Sequence, residues 1–254
     1  MRLVSLASSS AGNAYCVESG GRVLLIDCGL SWSDFKSRYG SAGFSLDALE
    51  GVLLTHNHID HVRGLATLHR KLPEVPLFAN LMTSEATASV LKMDEADFFA
   101  FENGQSFTAG PFTVSPFSIP HDVPDPVGYM VEAEGLKYFH ATDVGMPLDS
   151  IGVHLADADC ATLESNHDPV MVMESARPPL LKRRILGPRG HLSNADAADL
   201  VARFASPRLK ELRLAHLSAE CNAPAIAERE MREALASISR PDVILRILPP
   251  DSIL

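Results

Sequence analysis

Residues 55–61 read Thr-His-Asn-His-Ile-Asp-His, so three imidazoles and one carboxylate fall between positions 56 and 61. Nitrogen and oxygen donors of these types favour zinc, manganese or iron, whereas magnesium and calcium prefer shells of oxygen alone. His56 and His58 alternate, so both can project to one side of an extended segment. Asp60 and His61 follow where the chain turns into a helix and can face a second position. The spacing therefore suits two neighbouring ions rather than one. The run just before, residues 51–54, reads as a buried strand ending in solvent, a rigid base that leaves ligands open to substrate. An ordinary polar surface loop is the alternative, and so dense a set straight after an apolar strand weighs against it.

The elements that must hold this loop are legible as short apolar runs alternating with turns and amphipathic stretches. Strands are expected over 2–7, 14–18, 22–27, 52–55, 76–79, 112–119, 128–132, 137–141, 161–164, 211–216 and 243–248. They are rich in Val, Ile, Leu and Phe, as strands covered on both faces should be. Helices are expected over 31–39, 61–72, 82–92, 193–204 and 224–238. Ser193 with Asp196 three residues on resembles a capping box, and Pro224 suits a first helical turn. Strands with interspersed helices and a β–α–β–α–β tail fit a layered α/β fold in one domain spanning 1–254. Hydrophobic residues at 46% of the chain suffice for such a core.

The loop resembles the signature of the metallo-β-lactamase superfamily. That resemblance implies an αββα sandwich of two mixed β-sheets flanked by helices, and it implies further ligands downstream. His121 after Phe117-Ser118-Ile119-Pro120, Asp143 after Phe139-His140-Ala141-Thr142 and His216 after Leu212-Arg213-Leu214-Ala215 each close an apolar run. By analogy His56, His58 and His121 hold one ion, Asp60, His61 and His216 the other, and Asp143 lies between them. Asp60 is read as catalytic as well as ligating. Asp27, in Leu25-Ile26-Asp27-Cys28-Gly29, resembles the family's supporting aspartate near the loop, with a plain turn aspartate as the alternative.

A dinuclear site of this kind brings a bridging water towards a pKa of roughly 7, so a metal-bridging hydroxide is the expected nucleophile. The ligands alone do not choose among β-lactam, lactone, thioester and phosphodiester. Two motifs lean towards phosphodiester. Glu164-Ser165-Asn166-His167 sits where ribonuclease Z-like relatives keep a proton-donating pair, which makes His167 the candidate general acid and Glu164 its partner. Arg189-Gly190-His191-Leu192-Ser193-Asn194 opens a capped helix and is similar to the phosphate-contacting segment of nucleic-acid-processing relatives. His191, Ser193 and Asn194 are candidate phosphate contacts there, joined by Ser9, Ser10 and Asn13 of the first loop. Together, residues 8–13, 55–61, 164–168, 189–194 and 215–218 resemble the YycJ/WalJ subgroup of this superfamily, which implies a bacterial, cytoplasmic 5′→3′ DNA exonuclease linked to DNA repair. The first loop is poorer in glycine than in that subgroup, and Glu220-Cys221-Asn222 stands where paired asparagines are common.

The expected cofactor is a pair of divalent ions, Zn²⁺ or Mn²⁺, and the expected partner is nucleic acid, DNA more than RNA, with no membrane and no obligate protein partner. The formal charge of −10 opposes phosphate binding. Two dications would add +4 where the phosphate sits, and Lys182, Arg183, Arg184 and Arg189 form a local basic run. No β-CASP-type insertion fits between Asp143 and His216, and 6% aromatics with one Trp argue against an extended stacking platform. Four cysteines without a CxxC pair suit a reducing compartment. A small-molecule hydrolase of the same fold, acting on a cyclic phosphodiester, thioester or lactone, is the alternative. A metal-binding protein without activity is the third reading, against which the full ligand set stands. His69, His140 and His154 are assigned to packing.

Overall fold

A computed structural model describes residues 1–250 and 253–254. Strands β1 (Arg2–Ser9), β2 (Gly12–Ser19), β3 (Arg22–Ile26), β4 (Leu49–Leu53), β5 (Leu77–Asn80) and β6 (Phe98–Phe101) lie side by side in chain order as one sheet. The first three are antiparallel and the rest parallel. Strands β7 (Phe107–Ala109), β8 (Phe112–Ser118), β9 (Val127–Ala133), β10 (Leu136–Ala141), β11 (Cys160–Glu164), β12 (Glu211–Ala215) and β13 (Ile244–Ile247) form the second sheet, antiparallel as far as β10 and parallel beyond it.

The period of two along a strand decides which layer each side chain joins. In β3, Val23 and Leu25 pack outward, on Phe35 and Tyr39 of α1 (Trp32–Ser41), Leu65 and Leu68 of α3 (Leu65–Lys71) and Ala88 of α4 (Leu81–Leu91). Leu24 and Ile26, the alternate residues, point inward to Val114, Tyr129 and Val131 of the second sheet. On the far side Leu163, Leu212 and Leu214 meet Ile151 of α5 (Asp149–Ala156), Leu200 of α8 (Asn194–Phe204) and Met231 of α9 (Pro224–Ser237). Helix, sheet, sheet and helix therefore stack in four layers, the expected αββα sandwich.

The expected helix over 61–72 is two, α2 (Ile59–Val62) and α3. They part at Gly64, whose N–H donates to Cys28 O at 2.8 Å and whose α-carbon faces Leu30 O too closely for a side chain. The strand expected over 22–27 stops at Ile26 because Asp27 turns to φ 60°. Helices α5, α6 (Pro169–Glu174) and α7 (Pro179–Ile185), and strands β6 and β7, were not expected from the sequence. All are too short to show a period, and prolines interrupt the segment holding α6 and α7.

Candidate metal centre

The ends of strands from both sheets meet at one edge of the sandwich, and three of them end in the left-handed conformation. Asp27, directly after β3, has φ 60°; Asp143, two residues after β10, has φ 60°; His216, directly after β12, has φ 57°. Non-glycine residues avoid this region. Each bends the chain sharply, so that the side chain faces the edge rather than a neighbouring strand. The loop carrying His56 to His61 is seated on residues 27–30: Cys28 N donates to His61 O at 2.7 Å and Gly29 N to Asn13 O at 2.9 Å. A β-carbon on Gly29 would overlap the carbonyl of Asp60.

Four imidazoles are fixed through Nδ1, which turns the Nε2 lone pair inward as the atom able to meet a cation. His61 Nδ1 bonds Asp27 Oδ2 at 2.7 Å, His121 Nδ1 bonds Gly190 O at 2.9 Å, and His216 Nδ1 bonds Glu164 Oε1 at 2.9 Å. Thr55 Oγ1 donates to Asp27 Oδ2 at 2.8 Å and so accepts from His56 Nδ1 at 2.9 Å. The inward-facing atoms converge: His58 Nδ1 lies 3.1 Å from His56 Nε2 and 3.3 Å from His121 Nε2, and His61 Nε2 lies 3.2 Å from Asp143 Oδ2. Within each of the sets His56, His58, His121; His56, His61, Asp143; and Asp60, His61, His216, all donor atoms lie within 4.8 Å of one another. Asp143 Oδ2 and His216 Nε2 are buried without a hydrogen-bond partner. Orphaned buried donors beside a ring of oriented imidazoles fit divalent cations.

Burial disfavours charge throughout the cluster, and mutual attraction overrides it at several groups. The Asp143 carboxyl, buried, is nonetheless held well below the carboxylate range by the imidazoles of His216 and His61. Burial opposes a charge on His216 too, but the carboxylates of Asp143, Asp60 and Glu164 around it, the last hydrogen-bonded to its Nδ1, lift it to about 10. His56 has burial and the charge of His61 against it, and falls well below its ordinary value.

Glu164, the last residue of β11, is fully buried, and both oxygens are engaged. Oε1 accepts from His191 Nδ1 at 2.8 Å as well as from His216 Nδ1, and Oε2 accepts from the amides of Val144 at 2.8 Å and Leu192 at 3.0 Å. Against this burial, the His191 imidazole draws its carboxyl down to about 2. The expected partner of Glu164 was His167, and no hydrogen bond joins the two. His167 is 2% exposed, its Nδ1 has no partner, and its backbone pairs with Ser193 away from the cleft. His191, at 20% side-chain exposure, faces the cleft in its place.

The expected phosphate contacts divide in the same way. Ser193 caps α8, accepting from Asp196 N at 3.0 Å, and the Asn194 amide donates to Asn222 Oδ1 at 2.9 Å, so both side chains are withdrawn from the cleft. Asn13 is buried with Nδ2 3.0 Å from His61 Nε2, among the candidate ligand residues. Ser9 Oγ accepts from Ala11 N at 3.2 Å within its own turn, and Ser10 lines the cleft.

The cleft, about 340 Å³, has His58, Asp60, Asp143, His191 and His216 at its floor. Arg177, Arg184, Leu181 and Ile185 on its wall were not singled out from sequence as cleft residues. Ser8, quoted only as part of the 8–13 loop, was given no role: its Oγ accepts from His216 N at 2.8 Å. A serine read as the start of a polar loop carries no signal of a contact with a residue 208 positions away.

Fold and site together define a metal-dependent hydrolase of the metallo-β-lactamase type. Residues 22–212 match the family described as beta-lactamase superfamily domain, and the chain belongs to that superfamily. It is 33% identical over 234 residues to the exodeoxyribonuclease WalJ of Streptococcus pneumoniae serotype 2 (strain D39), covering 91% of this chain and 87% of that one. It is also 33% identical over 231 residues to the exodeoxyribonuclease YycJ of Bacillus anthracis, with the same coverage of 91% and 87%. The crystal structure of the metallo-β-lactamase fold protein YhfI from Bacillus subtilis superimposes with a TM-score of 0.72 at 18% identity, over 99% of this chain and 98% of that one, a likeness of fold. Among the described residues no helix is long and apolar enough to cross a membrane.

Proposed function

We propose that the chain is a nuclease that hydrolyses phosphodiester bonds in nucleic acid, DNA more than RNA, from a 5′ end, with two divalent cations, Zn²⁺ or Mn²⁺, as cofactor. A role in DNA repair within a reducing cytoplasm follows from the same reading, and the four free cysteines are in keeping with it. The observation that carries the proposal is the union, in one cleft, of oriented cation ligands, two arginines and a histidine held by a buried carboxylate.

His56, His58 and His121 would hold one cation, Asp60, His61 and His216 the other, with Asp143 common to both. When bound, such a pair supplies hydroxide at neutral pH and positive charge opposite a phosphate. The chain's own groups do the rest. Arg177 and Arg184 meet phosphate oxygens as charged donors. Glu164 fixes His191 through Nδ1 and leaves Nε2 to give a proton to the departing oxygen, so His191 replaces His167 as the proposed general acid. Asp27 and Thr55 keep His61 and His56 turned towards the cations.

The test is metal analysis of the purified protein, then incubation with end-labelled single- and double-stranded DNA and RNA, with and without Mn²⁺. Release of nucleotides from a 5′ end, lost in Asp60→Asn, is the expected result. The net charge of −10 favours the second reading, a small-molecule hydrolase of this fold. Turnover of a thioester, lactone or cyclic phosphodiester without nucleotide release would establish that reading instead.

A further inference from the structure

Helices α6 and α7 form an arm along one side of the cleft, and the arm has two faces. Arg177 between the helices, with Leu181, Arg184 and Ile185 of α7, lines the cleft. The outer face holds a second hollow of about 460 Å³, lined by Met173, Pro179, Lys182, Arg183 and Leu186. Residues 177–189 carry five cations and no carboxylate, in a chain of formal charge −10. Arg177 is paired with Glu220 and Arg184 with Asp122, whereas among the described residues no ion pair engages Lys182, Arg183 or Arg189. Lys182 Nζ donates to Met173 O at 2.6 Å, which holds its charge over the outer hollow without neutralising it. Beside these cations lies uncovered apolar surface: Leu180 is 78% exposed, Met173 62% and Leu186 40%.

Apolar surface left bare on an otherwise well-buried fold marks a place where something docks. A second copy seated on the same patch would bring cations against cations, which like charges oppose. A single strand of nucleic acid satisfies both halves of the surface, with phosphates for Lys182 and Arg183 and unpaired bases for the aliphatic side chains. Position agrees, since α7 borders both spaces: Leu181, Arg184 and Ile185 line the cleft, and Lys182, Arg183 and the adjoining Leu186 line the outer hollow.

We propose that the outer face of the α6–α7 arm seats the single strand adjoining the bond in the cleft, with Lys182 and Arg183 on phosphates and Met173, Leu180 and Leu186 against bases. The proposal rests on the nuclease reading and adds its substrate class: unpaired nucleic acid several nucleotides long.

The full metal-loaded chain and its Lys182→Glu/Arg183→Glu variant are compared on oligothymidylate of about twenty nucleotides, longer than the strand sites typical of such grooves, and on bis(p-nitrophenyl) phosphate, which occupies the cleft alone. The variant should raise KM for the oligonucleotide about tenfold or more and flatten its salt dependence by about one per cation lost. Turnover of bis(p-nitrophenyl) phosphate should stay at the wild-type rate. A Met173→Ser/Leu186→Ser variant, with charge intact, should weaken the oligonucleotide alone. An unchanged oligonucleotide KM in the first variant overturns the proposal, as does equal loss on both substrates. If the wild type cleaves neither phosphodiester, the nuclease reading fails on its own. The arm is then judged by fluorescence anisotropy of labelled oligothymidylate: weaker binding by the variant supports it and equal binding overturns it. Sedimentation that finds a wild-type dimer, abolished by Met173→Ser/Leu186→Ser while oligonucleotide affinity persists, overturns it in favour of a second copy.

Discussion

Nδ1 of His61 donates a hydrogen bond to Oδ2 of Asp27 across 2.7 Å, with both side chains wholly buried. The other oxygen of Asp27 accepts from Thr55 N at 2.9 Å, so one carboxylate fixes both the ring and the start of the ligand loop. Asp27→Asn should therefore weaken divalent-cation binding by about 10- to 100-fold, read by titration with Zn²⁺ or Mn²⁺. Asp27→Ala also leaves the buried Thr55 N–H without a partner and should cost about 1–3 kcal/mol of stability, read by urea unfolding.

His191 and His167 separate by a pair of substitutions. His191→Gln should lower kcat by about 10²- to 10⁴-fold with metal content unchanged. His167→Gln should leave kcat near wild type, because its ring is buried away from the cleft. The reverse ranking in steady-state kinetics would restore His167 as the acid.

Removal of the cations should cost stability as well as activity. Ligand bound only by the folded state at a thousand times its dissociation constant adds about 4 kcal/mol. Stripping with a chelator should lower Tm by several degrees in calorimetry, and excess Zn²⁺ or Mn²⁺ should restore it. Asp143→Asn should blunt that response, since it removes the carboxylate shared in the proposed site.

Gly29→Ala tests the seat of the ligand loop. A methyl group there collides with the Asp60 carbonyl, and backbone on both sides leaves it no room to move. A loss of about 2–4 kcal/mol is expected, with cation affinity falling too. Gly21→Ala is the control: a β-carbon there meets nothing within 4 Å, although its φ of +77° brings strain of its own.

Burial holds the His140 imidazole down at about 3. Its unfolded value is about 6.5, so between those limits the unfolded chain takes up a proton that the folded one refuses. Stability from this group is complete above the upper limit and drains away as pH falls through the window, at no more than about 1.4 kcal/mol per pH unit. His140→Leu should flatten that slope. Urea unfolding of both proteins from neutral to mildly acidic pH isolates the difference.

The sequence carried the ligand loop plainly because an apolar strand breaks off into residues 56–61, and the superfamily resemblance then pointed to His121, Asp143 and His216, each closing an apolar run. The supporting contacts were less legible. His167 lies three residues from Glu164 and was paired with it by resemblance to the proton-donating pair of ribonuclease Z-like relatives. The actual partner, His191, arrives from 27 residues downstream because backbone pairing of His167 with Ser193 carries the later segment past the end of β11. Ser193 and Asn194 looked available as helix-start polar groups, but capping and the amide of Asn222 use them first. The α6–α7 arm gave only its basic run, since helices of six and seven residues are too short for periodicity to register.

The side chains proposed as ligands are divided between the halves of the sandwich. Residues 56–61 leave the first sheet, while His121, Asp143 and His216 leave the second. An occupant of the centre would rivet the layers together at their open rim, where the hydrophobic interior ends. Slow amide exchange should then spread inward from that rim when it is filled, and the two leaves should breathe apart there first when it is emptied.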